Sequence, residues 1–378
     1  MKNSTFAKGI IRVIFSGLMA SSVISTSAGA ESLKDFNARV DAIVAEAAAK
    51  QSTTPPSEWP APVTGKKIVI IPCSMGGEGC AAPARALQEA AKTLGWEALL
   101  IDGAGDPSKM ANAVQRAISI GADGIAIQAI DAGVIAGPLA QAKKAGIKIV
   151  AYQSLNKDGL IDVSCPVNAD WATTDGSTET FQEGYFITAY AYKEAGYSLK
   201  MIQMRADEYG VVAARVKGAD KFINECKAAG GDCEILASEN YLITDLTTRV
   251  PQQAVNLVRR HPNFTVLWAG YDAGLYFMIQ GLQAAGLTSK GFAVSFDGSA
   301  PNLEIIRKGG FQRATAAASP PWIGYCQASS LNRLFSGQQP VDEGVHTKLL
   351  TKDNVPASGA FVGDVDYKPF YEKQWAKK

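Results

Sequence analysis

Short β-branched apolar runs alternate with longer stretches whose apolar positions recur at helical spacing, and the alternation begins near residue 66. The run Ile68-Val69-Ile70-Ile71 has the length and branching of a buried strand. A Gly-rich turn follows, Ser74-Met75-Gly76-Gly77-Glu78-Gly79, then a helical stripe over 81–94 that stops at Gly95, then a strand over 97–102. The same rhythm predicts strands over 124–128 and 147–152 and helices over 107–120 and 132–145. Asp106 and Pro107 supply the cap and first-turn proline of the helix at 107. The pattern breaks over 156–177 and resumes with helices over 178–195, 211–229, 245–260 and 273–285, and strands over 199–204, 233–238, 264–269 and 291–296. The tail adds helices over 302–308 and 322–335, strands over 312–317 and 347–350, and a closing helical stretch over 369–375. Such alternation predicts parallel sheets covered on both faces, here as two Rossmann-like α/β lobes in tandem.

The flanks carry no chemistry of their own. Residues 1–30 read as a secretory signal peptide: Lys2, Lys8 and Arg12 precede a mostly apolar stretch over 13–24, and Ala28-Gly29-Ala30 offers a small-x-small cleavage site. Ser16, Gly17, Ser21 and Ser22 interrupt that stretch, which argues against the alternative of a membrane anchor. No twin-Arg pair is present, so export is expected in the unfolded state, without a preloaded cofactor. An amphipathic helix is expected over 31–50, with Phe36, Val40 and Val44 on its apolar stripe, and a Pro-rich linker over 51–64. This leader is expected on the surface of the first lobe.

Charge and cysteine usage narrow the class. Removal of residues 1–30 leaves 34 basic against 36 acidic side chains, which argues against nucleic acid or anionic lipid as partner. A mature chain of about 350 residues exceeds what one core usually organises. Six cysteines suit an oxidising compartment, and Cys73/Cys80 and Cys226/Cys233 share one C-x6-C spacing. Cys165 and Cys326 remain, as a pair across a domain junction or as free thiols. A zinc site is the competing reading, with ligand spacings too wide for a knuckle and His261 and His346 as the only histidines. Neither a metal nor a cofactor is expected.

A set of ordered motifs resembles the type I periplasmic binding proteins of the ribose and galactose kind. Lys92-Thr93-Leu94-Gly95-Trp96 is similar to the family's "AxxLGY", and Ala145-Gly146-Ile147-Lys148-Ile149-Val150 to its "AGIPVV". Asp106-Pro107-Ser108-Lys109 and Gly121-Ala122-Asp123-Gly124-Ile125 stand between them in the family's order. Further on, Ala214-Arg215-Val216-Lys217-Gly218 resembles "ARxxG", Trp268-Ala269-Gly270-Tyr271-Asp272 resembles "FAxND", and Ser295-Phe296-Asp297-Gly298 resembles the "GFDG" turn. The resemblance spans 65–350. It implies two lobes joined by a three-crossover hinge and closing on a small molecule, with lobe 1 over 65–166 plus 319–345 and lobe 2 over 167–318 plus 346–378. The crossovers fall near 165–169, 318–320 and 345, with Cys165 and Cys326 beside the hinge. The implied role is the monomeric, periplasmic substrate-binding component of an ABC importer, handing its ligand to a membrane permease.

The cleft residues follow from the same resemblance. Arg215 and Asp297 match the family's ligand-contacting arginine and carboxylate, and Asp272, Asp131 and Gln128 stand at or near cleft positions. Each has a structural alternative: an exposed helix arginine, an Asx-turn, a helix cap. Tyr152 and Gln153 replace an Asp-Arg pair of sugar binders, and Tyr271 replaces an Asn. The opening turn offers Ser74, Met75 and Glu78 where sugar binders stack aromatics. Tyr209 and Tyr241 sit on loops able to face the cleft, and Trp322 follows the second crossover.

Other classes leave weaker traces. Gly77-x-Gly79-x-x-Ala82 with Asp102 resembles a dinucleotide fingerprint of an exported oxidoreductase, though Cys73 and Cys80 bracket it. No Ser-His-Asp elbow or zinc-hydrolase helix is present, and a two-lobed repressor would need a helix-turn-helix where the export signal lies. A ligand sensor for a membrane receptor shares every feature of the importer component. Loss of charged and amide groups and gain of Tyr and Met predict a ligand less polar than ribose, aromatic, alicyclic or a sugar derivative. Isothermal titration is expected to favour such compounds; tight binding of an unmodified pentose or hexose, with none of aromatic compounds, would refute it.

Overall fold

The computed structural model describes residues 31–166 and 179–376. The expected signal peptide and most of the first crossover lie outside these. Helix α1 (Leu33–Ala48) opens at Ser32, whose hydroxyl accepts from the Asp35 amide at 3.2 Å. Its stripe of Phe36, Val40 and Val44 is buried against Phe186, Tyr192 and Phe222 of the second lobe, not on the first lobe as the sequence suggested. Aromatic partners there, and an Arg39 bond to the Tyr185 hydroxyl at 2.6 Å, decided the outcome.

The first lobe runs β1 (Lys67–Pro72), α2 (Glu78–Thr93), β2 (Glu97–Leu100), α3 (Pro107–Ser119), β3 (Gly124–Gln128), α4 (Ala136–Lys144), β4 (Lys148–Tyr152) and β5 (Val163–Ser164). Its five strands are parallel in the order β2-β1-β3-β4-β5. The second lobe runs α5 (Glu179–Glu194), β6 (Ser198–Arg205), α6 (Gly210–Ala228), β7 (Asp232–Asn240), α7 (Val250–Arg260), β8 (Val266–Ala269), α8 (Asp272–Ala284), β9 (Phe292–Phe296), α9 (Ala300–Arg307) and β10 (Gln312–Ala317). The chain then returns to lobe 1 as α10 (Pro320–Phe335), adds β11 (Lys348–Thr351) to the second sheet, and closes with α11 (Lys368–Trp375). The second sheet is ordered β11-β10-β9-β8-β6-β7, parallel except for β11. No helix among the described residues is long and apolar enough to cross a membrane.

Several boundaries shift from the sequence pattern, and two helix starts show why. The helix expected over 132–145 starts as a 3-10 turn at 132–135, and the one expected over 245–260 begins only at Val250, beside Pro251. A proline near a helix start sets the first turn because it lacks the N–H that an interior position must donate. The tail also departs from expectation: residues 346–378 do not stay on lobe 2. Arg307 holds the carbonyls of Pro356 and Gly359 at 2.6 and 2.7 Å, so the segment first follows lobe 2. Then Tyr367, Tyr371 and Trp375 pack on Trp322 and Tyr325 of lobe 1. The leader crosses as well, from α1 on lobe 2 to Trp59 and Val63 on lobe 1. Asp364 joins both flanks to the sheet, accepting from the Gln51 amide at 2.8 Å and from Lys348 at 2.7 Å.

Three disulfides are formed. Cys73–Cys80 ties the end of β1 to α2, Cys226–Cys233 ties α6 to β7, and Cys165–Cys326 ties the end of β5 to α10 within lobe 1. At the third crossover Glu343 is buried and accepts from Ser329 at 2.7 Å and Tyr371 at 3.0 Å. Burial raises its pKa from 4.5 to about 7; the two hydroxyls and Arg333 oppose the rise and Asp342 adds to it. A raised folded-state value means that its stabilising contribution is full below pH 4.5 and is lost as pH climbs through about 7. Thermal unfolding is therefore expected at lower temperature at pH 7.5 than at pH 5, by the equivalent of roughly 2–3 kcal/mol for this group. Glu343→Gln should flatten that dependence; an unchanged slope in the variant would exclude Glu343 as its source.

Candidate ligand-binding site

In each sheet the strand order reverses at one point: between β1 and β3 in the first, between β6 and β8 in the second. The carboxyl ends of strands at such reversals leave a crevice, because the connections depart on opposite faces. Here the two crevices face one another. Cys73, Cys80, Ala129 and Gln153 come from lobe 1; Tyr209, Val211, Val212, Arg215, Ile243, Tyr271 and Asp297 come from lobe 2. They enclose a cavity of about 30 Å³, space for little more than water, so the lobes are closed on each other.

Arg215 is the best-held side chain in the cleft. Nε donates to Glu183 Oε2 at 2.9 Å, Nη1 to the Gly270 carbonyl at 3.0 Å and Nη2 to Asp297 Oδ1 at 3.2 Å. The guanidinium carbon lies 4.3 Å from the Phe296 ring centroid. Burial by itself would lower the arginine pKa, but Glu183 and Asp297 outweigh it and hold the group charged. Burial likewise raises both carboxyls, against the pull of Arg215. Glu183 reaches this place because α5 and α6 meet backbone to backbone. A Cβ on Gly184 would stand 1.9 Å from the Arg215 carbonyl oxygen, and one on Gly218 2.1 Å from that of Phe181. Sequence reasoning missed Glu183, although Glu179 and Glu183 stand four apart at the start of a helix whose middle is apolar and buried, a pattern that marks buried charge in need of a partner.

Two tyrosines, Tyr209 and Tyr271, line the cavity, and Tyr241 backs them. Tyr209 meets Tyr271 edge to face at 6.1 Å, and Tyr271 meets Tyr241 at 5.3 Å. The hydroxyls of all three are buried without a well-formed hydrogen bond. Burial lifts their pKa values, so all stay protonated and able to donate. Ala129, Gln153 and Asp297 hold φ of 51°, 51° and 98°, a region costly for residues with a Cβ and common where function constrains backbone.

The lobes are clasped by Asp131. It does not cap the following helix, one alternative from sequence; Oδ1 accepts from the Leu155 amide at 2.8 Å and Oδ2 from the Gly210 amide of the other lobe at 3.1 Å. That second bond reaches the amino end of α6, where backbone N–H groups are unpaired and the helix dipole favours a carboxylate. Across the mouth, a Cβ on Gly79 would lie 2.7 Å from Asp297 Oδ2. The Gly-x-Gly of the opening turn therefore admits a carboxylate of the other lobe, not a pyrophosphate.

Other expected site residues lie elsewhere. Asp272 is buried within lobe 2, accepting from the Ser299 amide at 2.9 Å, Gln312 at 3.0 Å, Thr315 at 3.1 Å and Ser295. Trp322 stacks on Tyr367 and donates to the Tyr371 hydroxyl at 3.0 Å, away from the cleft, because the tail supplies partners that its position in sequence did not reveal. Gln128 pairs with Gln327 of α10 at 2.6 Å. Tyr152 is buried at the end of β4 within the fields of Glu183 and Asp297, behind the cavity. Ser74 accepts from the Gly76 amide, the Met75 amide donates to Asp102, and Glu78 pairs with Arg85 at the rim. Tyr241 backs Tyr271.

Two lobes closing over a largely apolar cleft, with an ion pair and an aromatic wall, define a hinged binding protein. A periplasmic binding protein domain model matches residues 68–339, and the chain belongs to that family. No curated protein matches. Among solved structures, an ABC sugar transporter subunit from Rhodobacter sphaeroides 2.4.1 aligns with a TM-score of 0.65 at 19% identity, over 77% of this chain and 99% of its own. A solute binding protein from Agrobacterium vitis with bound allitol aligns at 0.65 and 20%, over 77% and 97%. One from Bacillus halodurans C-125 with bound myo-inositol aligns at 0.66 and 17%, over 77% and 96%. These likenesses establish the type I fold.

The clasp generates a test. A hydrogen bond to an ionised carboxylate contributes roughly 1.5–3 kcal/mol when it is buried, so Asp131→Ala is expected to raise the open population about tenfold or more. Small-angle scattering of the ligand-free variant should show a larger radius of gyration than wild type; identical profiles would mean that the bond does not hold the lobes.

Proposed function

We propose that this protein is the exported solute-binding component of an ABC importer, capturing one small molecule between its lobes and presenting the closed form to a membrane permease. The observation that carries the reading is the convergence of Gln153, Tyr209, Arg215, Tyr271 and Asp297, drawn from both lobes, on one small cavity at the paired strand reversals. Contacts to both lobes favour closure, since ligand stabilises only the state that it touches on both sides. The family match supports solute capture, and the ring- and chain-polyol complexes among its structural neighbours support a compact ligand. The periplasm is the compartment that fits the export signal and the three disulfides. In this reading the protein acts as a monomer with neither a cofactor nor a chemical step.

The ligand has an apolar face, which lies on Tyr271 and Tyr209, and a polar edge directed to Gln153 and Asp297. Ring burial of this kind is worth about 1.5–3 kcal/mol, so Tyr271→Ala should weaken binding roughly tenfold or more. The measurement is isothermal titration with the compound identified by native mass spectrometry of protein taken from its source. Unchanged affinity in the variant would place the site outside this cleft.

A further inference from the structure

The carboxyls around Arg215 outnumber its single positive charge. Among the described residues Arg215 is the sole basic side chain lining the cavity, and it is committed to two carboxyls, Glu183 and Asp297, and to the Gly270 carbonyl. One guanidinium between two carboxyls leaves one without a countercharge where closure excludes water, and burial raises the pKa of both, so the second must hold a proton or meet a cation. Asp297 also faces a second space: a groove of about 690 Å³ between α2, residues 298–300 and residues 360–368. Both basic side chains on its walls are already paired, Arg85 with Glu78 at 2.5 Å and Lys368 with Glu89 at 2.6 Å. The groove is thus negative in sign, set by Asp366 and Asp297.

Asp297 shares the cavity with two aromatic rings. Tyr209 and Tyr271 line the cavity, more than nine-tenths buried, with hydroxyls that have no well-formed partner. Tyrosine faces attract cations through the ring quadrupole, most strongly when water is excluded. An anion would face the second carboxyl, whereas a cation can take the place of the proton that burial otherwise draws onto it.

We propose that the captured ligand carries a protonated or quaternary nitrogen, seated between the Asp297 carboxylate and the rings of Tyr209 and Tyr271. This rests on the solute-binding reading and narrows its ligand class to small organic cations, amino-substituted rings included. A positive charge there completes the pairing that Arg215 leaves open.

The test uses the full mature chain and isosteric probe pairs, choline against 3,3-dimethylbutanol and glucosamine against glucose, by isothermal titration at low salt. At least one cationic member is expected to bind about tenfold tighter than its neutral partner, and Asp297→Asn should bring that ratio to near one. Tyr209→Phe, which keeps the ring, should preserve the preference. Native mass spectrometry of the protein from its source, run in parallel, should show a bound cation. Equal or tighter binding of the neutral members, or a neutral co-purified compound, overturns the inference and leaves the solute-binding reading standing. No small molecule bound in either measurement overturns both.

Discussion

The guanidinium of Arg215 is the interaction on which the cleft depends. Its three bonds draw together α5 through Glu183, the turn after β8 through Gly270 and the turn after β9 through Asp297. None of these segments is adjacent in sequence. What lets them meet is the absence of side chains at Gly184 and Gly218, which brings α5 and α6 closer than any Cβ would permit. The charge cluster is then walled by Phe296 and the disulfide-bonded lip of the first lobe, so its electrostatics act at low effective dielectric and are not screened by solvent.

The lobes are coupled more tightly than a three-crossover hinge implies. The leader passes from α1 on lobe 2 to Trp59 and Val63 on lobe 1, and the tail passes from β11 to α11 in the same direction. Asp364 pins both passages to Lys348 of the second sheet. Closure is supported besides by Asp131 at the amino end of α6 and by the fit of Asp297 over Gly79. Each of these contacts is small and polar, the kind that opens and reforms without disturbing the apolar interior of either lobe.

Much of the architecture was legible because strand and helix periodicities differ and because buried parallel strands are continuously apolar. Ile68 to Ile71 and Val266 to Ala269 are fully buried strands for that reason. The same signal misleads where polar residues are buried against one another. Asp272 follows a strand end like a ligand carboxylate, yet four donors from Ser295, Ser299, Gln312 and Thr315 consume it inside lobe 2. Trp322 follows a crossover like a stacking residue, yet Tyr367 and Tyr371, some fifty positions on, cover it.

By itself the sequence determined the α/β rhythm, the two lobes and the ligand-facing candidates at their strand ends, since these follow from local periodicity and from motifs read in order. Only the tertiary structure decided which candidates meet. Whether a carboxylate faces a cavity, a helix end or a neighbouring hydroxyl depends on contacts between segments far apart along the chain, and periodicity is blind to those. The pairing of Arg215 with Glu183, the clasp at Asp131 and the crossing of both flanks between lobes are all of this kind. They arise because burying polar groups is favourable only when distant partners satisfy them.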